Sequence, residues 1–326
     1  MKNKVIVFSG NKVFSYDIAQ SFLKRGVLDF SIQICENFDD FAVQVKEARG
    51  EDVNVISICP NEFVDNLLEK VKLESDNLTL LFEQAVKLEN GTLKMLFLPF
   101  ELEFEKFFDE FLPAGEVSCC SIFGKTYSFI ESKLKELNCS YKIITKNMFL
   151  HTIYYSATVN EETLKSIFGD SLYSTKDESL ACVCGRLLKE KNLSISVAEQ
   201  ISAGGVTNAL MIGSEIVTKR SFLLFTEKDF VAVGINADFL ETNGIACKET
   251  AYQIARKLLL KAESDVIVSV LGDDEKERIF VSVGDEKEIH VFSSAFNCNK
   301  TERAELIISF ALFILQRFLK NKIGEF

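Results

Sequence analysis

The stretch from Ile195 to Leu210, ISVAEQISAGGVTNAL, predicts a strand that runs through a glycine-containing loop into a helix. Ile195 and Val197 alternate with serines, and this period of two gives a strand one apolar face. Gly204 and Gly205 allow the backbone to turn tightly, and apolar residues then recur at helical spacing. Such a loop brings backbone N–H groups to a helix N-terminus, where an anion or an oxyanion is favoured. An ordinary strand-to-helix turn of an α/β fold gives the same pattern.

Segments of strand and helix pattern alternate along the whole chain, which indicates an α/β protein. We predict a shortened Rossmann-like α/β domain over residues 1–114, a small α+β domain over 115–173 and a second α/β domain over 174–326. The strands are predicted at 4–8, 31–35, 53–59, 78–82, 93–98, 117–123, 141–145, 152–157, 221–225 and 266–271, with a hairpin over 279–293. The helices are predicted at 38–48, 62–73, 104–112, 127–137, 161–168, 180–189, 249–261 and 302–319.

Composition narrows the possible partners and locations. The chain has 326 residues and a net charge of −11, which argues against a nucleic-acid-binding surface. No run of some 18 apolar residues is present, and the N-terminus begins at once with a strand pattern, so we expect a cytoplasmic protein that does not enter a membrane.

Metal and cofactor chemistry is not indicated. The nine cysteines are scattered, mostly among apolar residues, without a CxxC pair, and there are only two histidines. Reduced thiols that fill the core are the better interpretation, and we predict neither a metal site nor a cofactor. His290, within the strand-like sequence EIHVF, is predicted to be structural.

Several ordered segments resemble one family. Residues 187–199, LLKEKNLSISVAE, are similar to the motif LLKEKxLTIAxAES of the CinA (competence/damage-inducible) proteins. Residues 121–124, 168–173 and 240–249 resemble further segments of that family in the same order. The resemblance implies an α/β C-terminal domain related to nicotinamide-nucleotide amidases and at least a homodimer.

The resemblance fails at the family's catalytic positions. Its motif Ala-Glu-Ser-x-Thr-Ala-Gly supplies a serine nucleophile, and Gln200 stands at that serine here, with Ser202 at the threonine. A glutamine amide cannot act as such a nucleophile, because its nitrogen lone pair is delocalised. The family's tyrosine and lysine belong to a segment Y-S-N-x-x-K. Phe225 replaces the tyrosine, and Lys228 matches the lysine only if one residue is deleted.

Two further family loops are altered. The glycine-rich loop T-G-I-A-G-P is reduced to Leu-Gly-Asp-Asp at 271–274, where acidic side chains would repel a phosphate. The family's N-terminal domain resembles a molybdopterin-binding fold with a loop G-G-L-G-P-T-x-D-D. In this chain the equivalent strand runs directly into Pro60, and the domain is shorter.

Three functions remain open. The first is a CinA-family protein that has lost amidase activity and keeps a binding or structural role. The second is an amidohydrolase acting on nicotinamide mononucleotide, with Ser202 as nucleophile, Lys228 as base and the N–H groups of Ala203, Gly204 and Gly205 as oxyanion donors. The third is a module that binds a nicotinamide or adenine nucleotide through the same N–H groups.

Two assignments stay undecided at the level of sequence. Ser202 also suits a purely structural role, as the cap of the helix that follows. The apolar face of Ile307, Phe310, Ala311 and Ile314 fits a core or a dimer interface equally well.

Overall fold

The computed structural model describes residues 2–8, 12–48, 53–71, 78–80, 86–90, 93–99, 117–156, 158–214, 218–273 and 277–321. The chain divides into two compact units. The first comprises residues 1–118, 137–142 and 154–160, and the second comprises 119–136, 143–153 and 161–326. The predicted helix over 104–112 and the boundary after residue 114 lie outside the described residues. The division into three domains stays a prediction.

The first unit contains a six-stranded sheet in the order β2-β1-β3-β6-β5-β4. The strands β2, β1, β3 and β6 are parallel, and β5 and β4 continue the sheet antiparallel. The strands are β1 (Lys2–Phe8), β2 (Phe30–Cys35), β3 (Val53–Cys59), β4 (Leu78–Leu80), β5 (Val86–Asn90) and β6 (Leu93–Pro99). The helices are α1 (Lys12–Lys24), α2 (Phe38–Ala48) and α3 (Asn61–Val71). Every residue of β3 is buried, the polar Asn54 and Ser57 included, as in strands of a parallel sheet that is covered on both faces.

A four-stranded sheet follows in the order β10-β7-β9-β8. Its strands are β7 (Val117–Phe123), β8 (Tyr141–Asn147), β9 (Leu150–Ser156) and β10 (Leu172–Ser174). The helices of this part of the chain are α4 (Tyr127–Glu136) and α5 (Glu161–Phe168), and a single 3₁₀ turn at 169–171 leads into β10.

The C-terminal part of the second unit is a five-stranded sheet with helices on both faces. Its order is β12-β11-β13-β14-β15, with the first three strands parallel and the last two antiparallel. The strands are β11 (Ile195–Glu199), β12 (Arg220–Leu223), β13 (Val266–Asp273), β14 (Arg278–Gly284) and β15 (Ile289–Ala295). The helices are α6 (Leu180–Glu190), α7 (Gly205–Ser214), α8 (Glu227–Ala232), α9 (Ala237–Asn243), α10 (Lys248–Ala262) and α11 (Lys300–Leu319).

Two apolar cores cover the two faces of this sheet. One core joins the sheet to α6, α7 and α11, and the other joins it to α8, α9 and α10. The α/β class predicted from the alternating patterns is confirmed. The elements β5, β10, α8 and α9 have no counterpart in the sequence prediction, because segments of three to seven residues are too short to show a period.

Two sequence interpretations are settled by burial. The strand β11 is buried on both faces, Ser196 included, because helices pack on both sides of the sheet. The apolar face of α11 belongs to the core, since Ile307, Phe310, Ala311 and Ile314 all pack into the cluster around α6 and α7.

Candidate functional site

The loop 200–204 lies at the carboxyl ends of the parallel strands β11, β12 and β13. In open α/β sheets this edge is the usual place for a ligand, because the loops that leave neighbouring strands meet there. The strand β11 ends at Glu199, and α7 begins at Gly205. The predicted strand–loop–helix unit is therefore present at the predicted place.

A buried carboxylate organises this loop. Glu199 is fully buried, and its Oε2 accepts hydrogen bonds from the Ser202 hydroxyl and the Val206 N–H, both at 2.8 Å. Its Oε1 accepts from the Thr207 N–H at 3.0 Å and the Thr207 hydroxyl at 2.6 Å. The negative charge of Glu199 thus lies at the positive end of α7, where a helix N-terminus favours an anion. The protein itself supplies the anion that this turn is suited to hold.

Gln200, which the sequence resemblance aligns with the family's nucleophile, connects two strands. Its backbone N–H donates to the Val270 carbonyl at 2.9 Å, and its side-chain Oε1 accepts from the Gly272 N–H at 2.8 Å. Gly272 has no room for a side chain, since an added Cβ would lie 2.6 Å from Cδ1 of Ile201 and 3.2 Å from the Arg278 carbonyl. The amide of Gln200 therefore fastens the loop to the end of β13.

Ser202 is buried, and its hydroxyl donates to Glu199. A serine that caps a helix accepts a hydrogen bond from a backbone N–H of the first turn. In this structure the Glu199 carboxylate accepts those bonds. The interpretation of Ser202 as the cap of α7 is therefore wrong, because a carboxylate with two oxygens and a full charge occupies the position.

Phe225 and Lys228 follow the edge strand β12 and are both exposed. The turn that carries them is held by Asp229, whose carboxylate accepts from the N–H groups of Phe225 and Thr226 and from the Thr226 hydroxyl. The backbone hydrogen bond from Thr226 is the main reason that the pKa of Asp229 is lowered. Among the described residues no hydrogen bond joins Ser202 to Lys228, and catalysis by this pair stays a prediction.

The backbone donors predicted for an oxyanion are largely engaged within the loop. The Ala203 N–H donates to the Gln200 carbonyl at 3.3 Å, and the Gly205 N–H donates to the Ser202 carbonyl at 2.8 Å. Ala203 and Gly204 both have left-handed backbones, with φ of 48° and 89°. This arrangement leaves at most the Gly204 N–H for a ligand.

In the part of the chain that the structure describes, no three His, Cys, Asp or Glu side chains are grouped so that they could hold a metal ion. No described helix has both the length and the apolar character needed to cross a membrane.

Comparison with known proteins assigns this region to a family. Residues 177–319 match the family model of the CinA C-terminal domain. The C-terminal part of the chain is therefore similar to the CinA C-terminal domain.

The relatives are distant and longer. A CinA-like protein of Chloroherpeton thalassium is 28% identical over 161 residues, which cover 48% of this chain and 38% of the relative. A putative competence-damage inducible protein of Clostridium beijerinckii is 32% identical over 115 residues, which cover 34% of this chain and 28% of the relative. The crystal structure of a CinA superfamily protein from Klebsiella pneumoniae aligns with a TM-score of 0.41 at 14% identity, over 44% of this chain and 96% of that one. The matched regions thus span well under two thirds of the two curated relatives.

The residue that sequence reasoning overlooked is Glu199. It stands in the CinA-like run 187–199, but no role was predicted for it. One feature of the sequence could have indicated this role. Glu199 is an acidic residue shortly before a predicted helix, close enough along the chain to reach the unpaired N–H groups of the first helical turn.

Proposed function

We propose that this CinA-family chain does not hydrolyse nicotinamide mononucleotide and that its C-terminal domain serves as a binding or structural module. The observation that carries the proposal is the hydrogen bond from the Gly272 N–H to the side chain of Gln200 at the family's nucleophile position. An amide in that place supplies no nucleophile, and its carbonyl oxygen is already used to hold two strands together.

The surroundings of the loop support the same proposal. The N–H groups of Val206 and Thr207, which could stabilise an oxyanion, donate to the Glu199 carboxylate. An oxyanion brought to this turn would be repelled by that buried negative charge. Phe225 has no hydroxyl with which to assist a nucleophile, and its ring is exposed.

The deciding experiment is an ammonia-release assay on the purified full chain with nicotinamide mononucleotide. We expect the wild type and Ser202→Ala to give the same rate as a protein-free blank. Ammonia release by the wild type that Ser202→Ala abolishes would contradict the proposal. Thermal melting of both proteins establishes that each one is folded.

The second candidate is an amidohydrolase that uses Ser202 and Lys228. One observation favours it, namely that the Ser202 hydroxyl already donates to the Glu199 carboxylate, an interaction that can draw a proton from a nucleophile. This candidate requires Lys228→Met to lose activity while Lys189→Met, an exposed lysine on α6, keeps it. The same ammonia assay separates the two candidates.

Binding without hydrolysis extends the first proposal to a nicotinamide or adenine nucleotide. Thermal-shift measurements with nicotinamide mononucleotide and with ADP-ribose test it, since a ligand at 100 times its Kd adds about 2.7 kcal/mol to the free energy of unfolding. If neither ligand raised the melting temperature, nucleotide binding would be contradicted and the structural role would be the remaining form of the proposal. A molybdopterin-binding-like first domain, a cytoplasmic location and a homodimer belong to the same proposal, and sedimentation measures the homodimer.

A further inference from the structure

A cavity of about 460 Å³ lies within the second compact unit, and none of its lining residues belongs to the loop 199–205. Its walls come from β7, the β8–β9 turn, the end of α5, the end of β15 and one face of α11. Half of the lining residues are phenylalanines: Phe123, Phe149, Phe168, Phe296, Phe310 and Phe313. Pockets for small molecules have this size and this mainly apolar lining.

The rings are inclined to one another. The centroids of Phe123 and Phe313 are 4.9 Å apart with an interplanar angle of 43°, and those of Phe296 and Phe310 are 5.9 Å apart at 80°. Aromatic pairs favour tilted and edge-to-face geometries of this kind. A ring bound among them therefore has both ring faces and ring edges to contact, which favours a planar aromatic ligand over a flexible chain.

The charged groups of the lining favour an anion. They are Lys125, Arg317 and Asp170, two cations and one carboxylate, in a chain whose net charge is −11. The Arg317 guanidinium lies 3.2 Å from the Asp170 carboxylate and 5.9 Å from the centroid of the Phe313 ring, with only 12% of its side chain exposed. A cation held between a carboxylate and a ring has a fixed position beside the apolar walls. The net positive charge of the lining matches a single carboxylate on the ligand.

A buried histidine holds one wall in place. His151 has no exposed surface, and its Nε2–H donates to the carbonyls of Lys125 at 2.9 Å and Met148 at 3.2 Å. Its Nδ1 accepts from the Thr145 hydroxyl at 3.0 Å. These bonds join the segment of Lys125 to the β8–β9 turn, which carries Phe149. The wall is thus fixed before any ligand arrives, which lowers the entropic cost of binding.

We propose that this cavity binds a small aromatic monocarboxylic acid of about two fused rings. A cavity of roughly 150 Å³ accommodates benzene, so a volume about three times larger suits a bicyclic ring system with a short carboxylate arm. The rings lie among the phenylalanines, and the carboxylate lies toward Arg317 and Lys125.

The probe for the test is 1-naphthylacetate, with the uncharged 1-naphthylacetamide as its matched control. The chain contains no tryptophan, so naphthyl fluorescence excited beyond the tyrosine absorption band reports the ligand alone. Calorimetry on the full chain gives the stoichiometry. We expect saturable one-to-one binding of the acid, with the amide at least about tenfold weaker because it lacks the charge.

Variants locate the site. Arg317→Gln and Lys125→Gln are each expected to raise the Kd about fivefold, since each removes one of the lining cations. Arg186→Gln and Lys133→Gln are the controls, because each removes a cation that lies outside the cavity, where it forms an ion pair with Glu178 or Glu136. The controls are expected to keep the wild-type Kd.

Two substitutions fill the cavity, Ser294→Phe and, as an independent variant, Ser171→Leu. Loss of binding in either variant, at a melting temperature close to that of the wild type, supports the proposal. No saturable binding by the wild type, equal binding of acid and amide, or binding that survives in a folded cavity-filled variant would overturn it.

Discussion

At the scale of single residues, Glu199 shows how one buried charge can be stable. A carboxylate without partners would be costly in a core, but the four hydrogen bonds to Glu199 come from two hydroxyls and two backbone N–H groups at a helix N-terminus. Both N–H groups would otherwise be unpaired, because N–H groups in the first turn of a helix have no acceptor within the helix. The charge and the helix end therefore stabilise one another.

Glu199→Gln tests this interaction. The amide keeps the shape but presents NH₂ hydrogens to donors that need an acceptor, so we expect the free energy of unfolding to fall by about 2 to 3 kcal/mol. Urea denaturation of the full chain measures the loss. Glu241→Gln, an exposed carboxylate on α9, is the matched control and is expected to change stability by less than about 0.5 kcal/mol. Equal losses in the two variants would show that Glu199 contributes no more to the free energy of unfolding than an exposed carboxylate does.

His151 predicts a pH dependence of stability. Burial lowers its pKa from the ordinary value of 6.5, and hydrogen bonds to the Lys125 and Met148 carbonyls oppose this only in part. Below about pH 6.5 the unfolded chain therefore binds the proton more readily than the folded one. The stabilisation from neutral His151 is present above that pH and is lost as the pH falls toward the folded-state pKa.

His151→Gln removes this titration while keeping an N–H that can donate to a carbonyl. We expect the melting temperature of the variant to fall less than that of the wild type between about pH 7 and 5. Thr145→Val, which deletes the hydrogen bond to Nδ1 but leaves the imidazole, is expected to keep a dependence on pH. If the melting temperature of the glutamine variant changed with pH as much as that of the wild type, other titrating groups would be responsible for the pH dependence.

At the scale of elements, the contact between α6 and α7 depends on a missing side chain. An added Cβ at Gly213 would lie 2.9 Å from the Cβ of Ala181 and 3.4 Å from the Ser179 hydroxyl. Neither atom is the end of a flexible chain, so the two helices would have to separate. Glycine at this position allows α7 to pack closely against α6. Since the loop of Glu199 leads directly into α7, this packing also helps to position the loop.

Gly213→Ala is expected to lower the free energy of unfolding by about 1 to 3 kcal/mol, although alanine is the better helix former. Adding Ala181→Gly restores the space on the opposite helix and is expected to recover part of the loss. Double-mutant denaturation measures the coupling between the two positions. Additive effects of the two substitutions would contradict a direct contact.

At the scale of the whole molecule, the strands of the C-terminal sheet differ in burial and in the number of strands that pair with them. The strand β13 is paired on both sides and almost fully buried, whereas β12 is an edge strand with three of its four residues exposed. The helix α11 has twelve buried residues and lies in the core with α6 and α7. The stable centre of the second unit is thus β13 with α11, and the loop of Glu199 connects this centre to the edge.

Hydrogen exchange followed by mass spectrometry checks this gradient. Peptides from β13 and α11 are expected to exchange most slowly, and those from β12 and α8 much faster, because exchange through local opening follows burial and pairing. Protection of β12 equal to that of β13 in a monomer would contradict the gradient.

Much of the fold was predictable because its signals are local. The bounds of α2, β3, β7 and α5 agree with the sequence periods, and the hairpin of β14 and β15 forms where Gly284 indicates a turn. The shorter elements α8 and α9 depend on capping interactions, such as those of Asp229, that periodicity does not report. The strand, loop and helix around residues 195–214 form as the sequence predicts, but the role of Glu199 in them was not predicted.

The sequence by itself determined the α/β class and the positions of the longer elements. These follow from the order and spacing of neighbouring residues. Only the tertiary structure decided that Glu199 occupies the N-terminus of α7, that the apolar face of α11 is core, and that six phenylalanines spread from 123 to 313 surround one cavity. The reason is physical, since burial and hydrogen-bond partners are set by segments far apart in the chain, which local periodicity cannot encode.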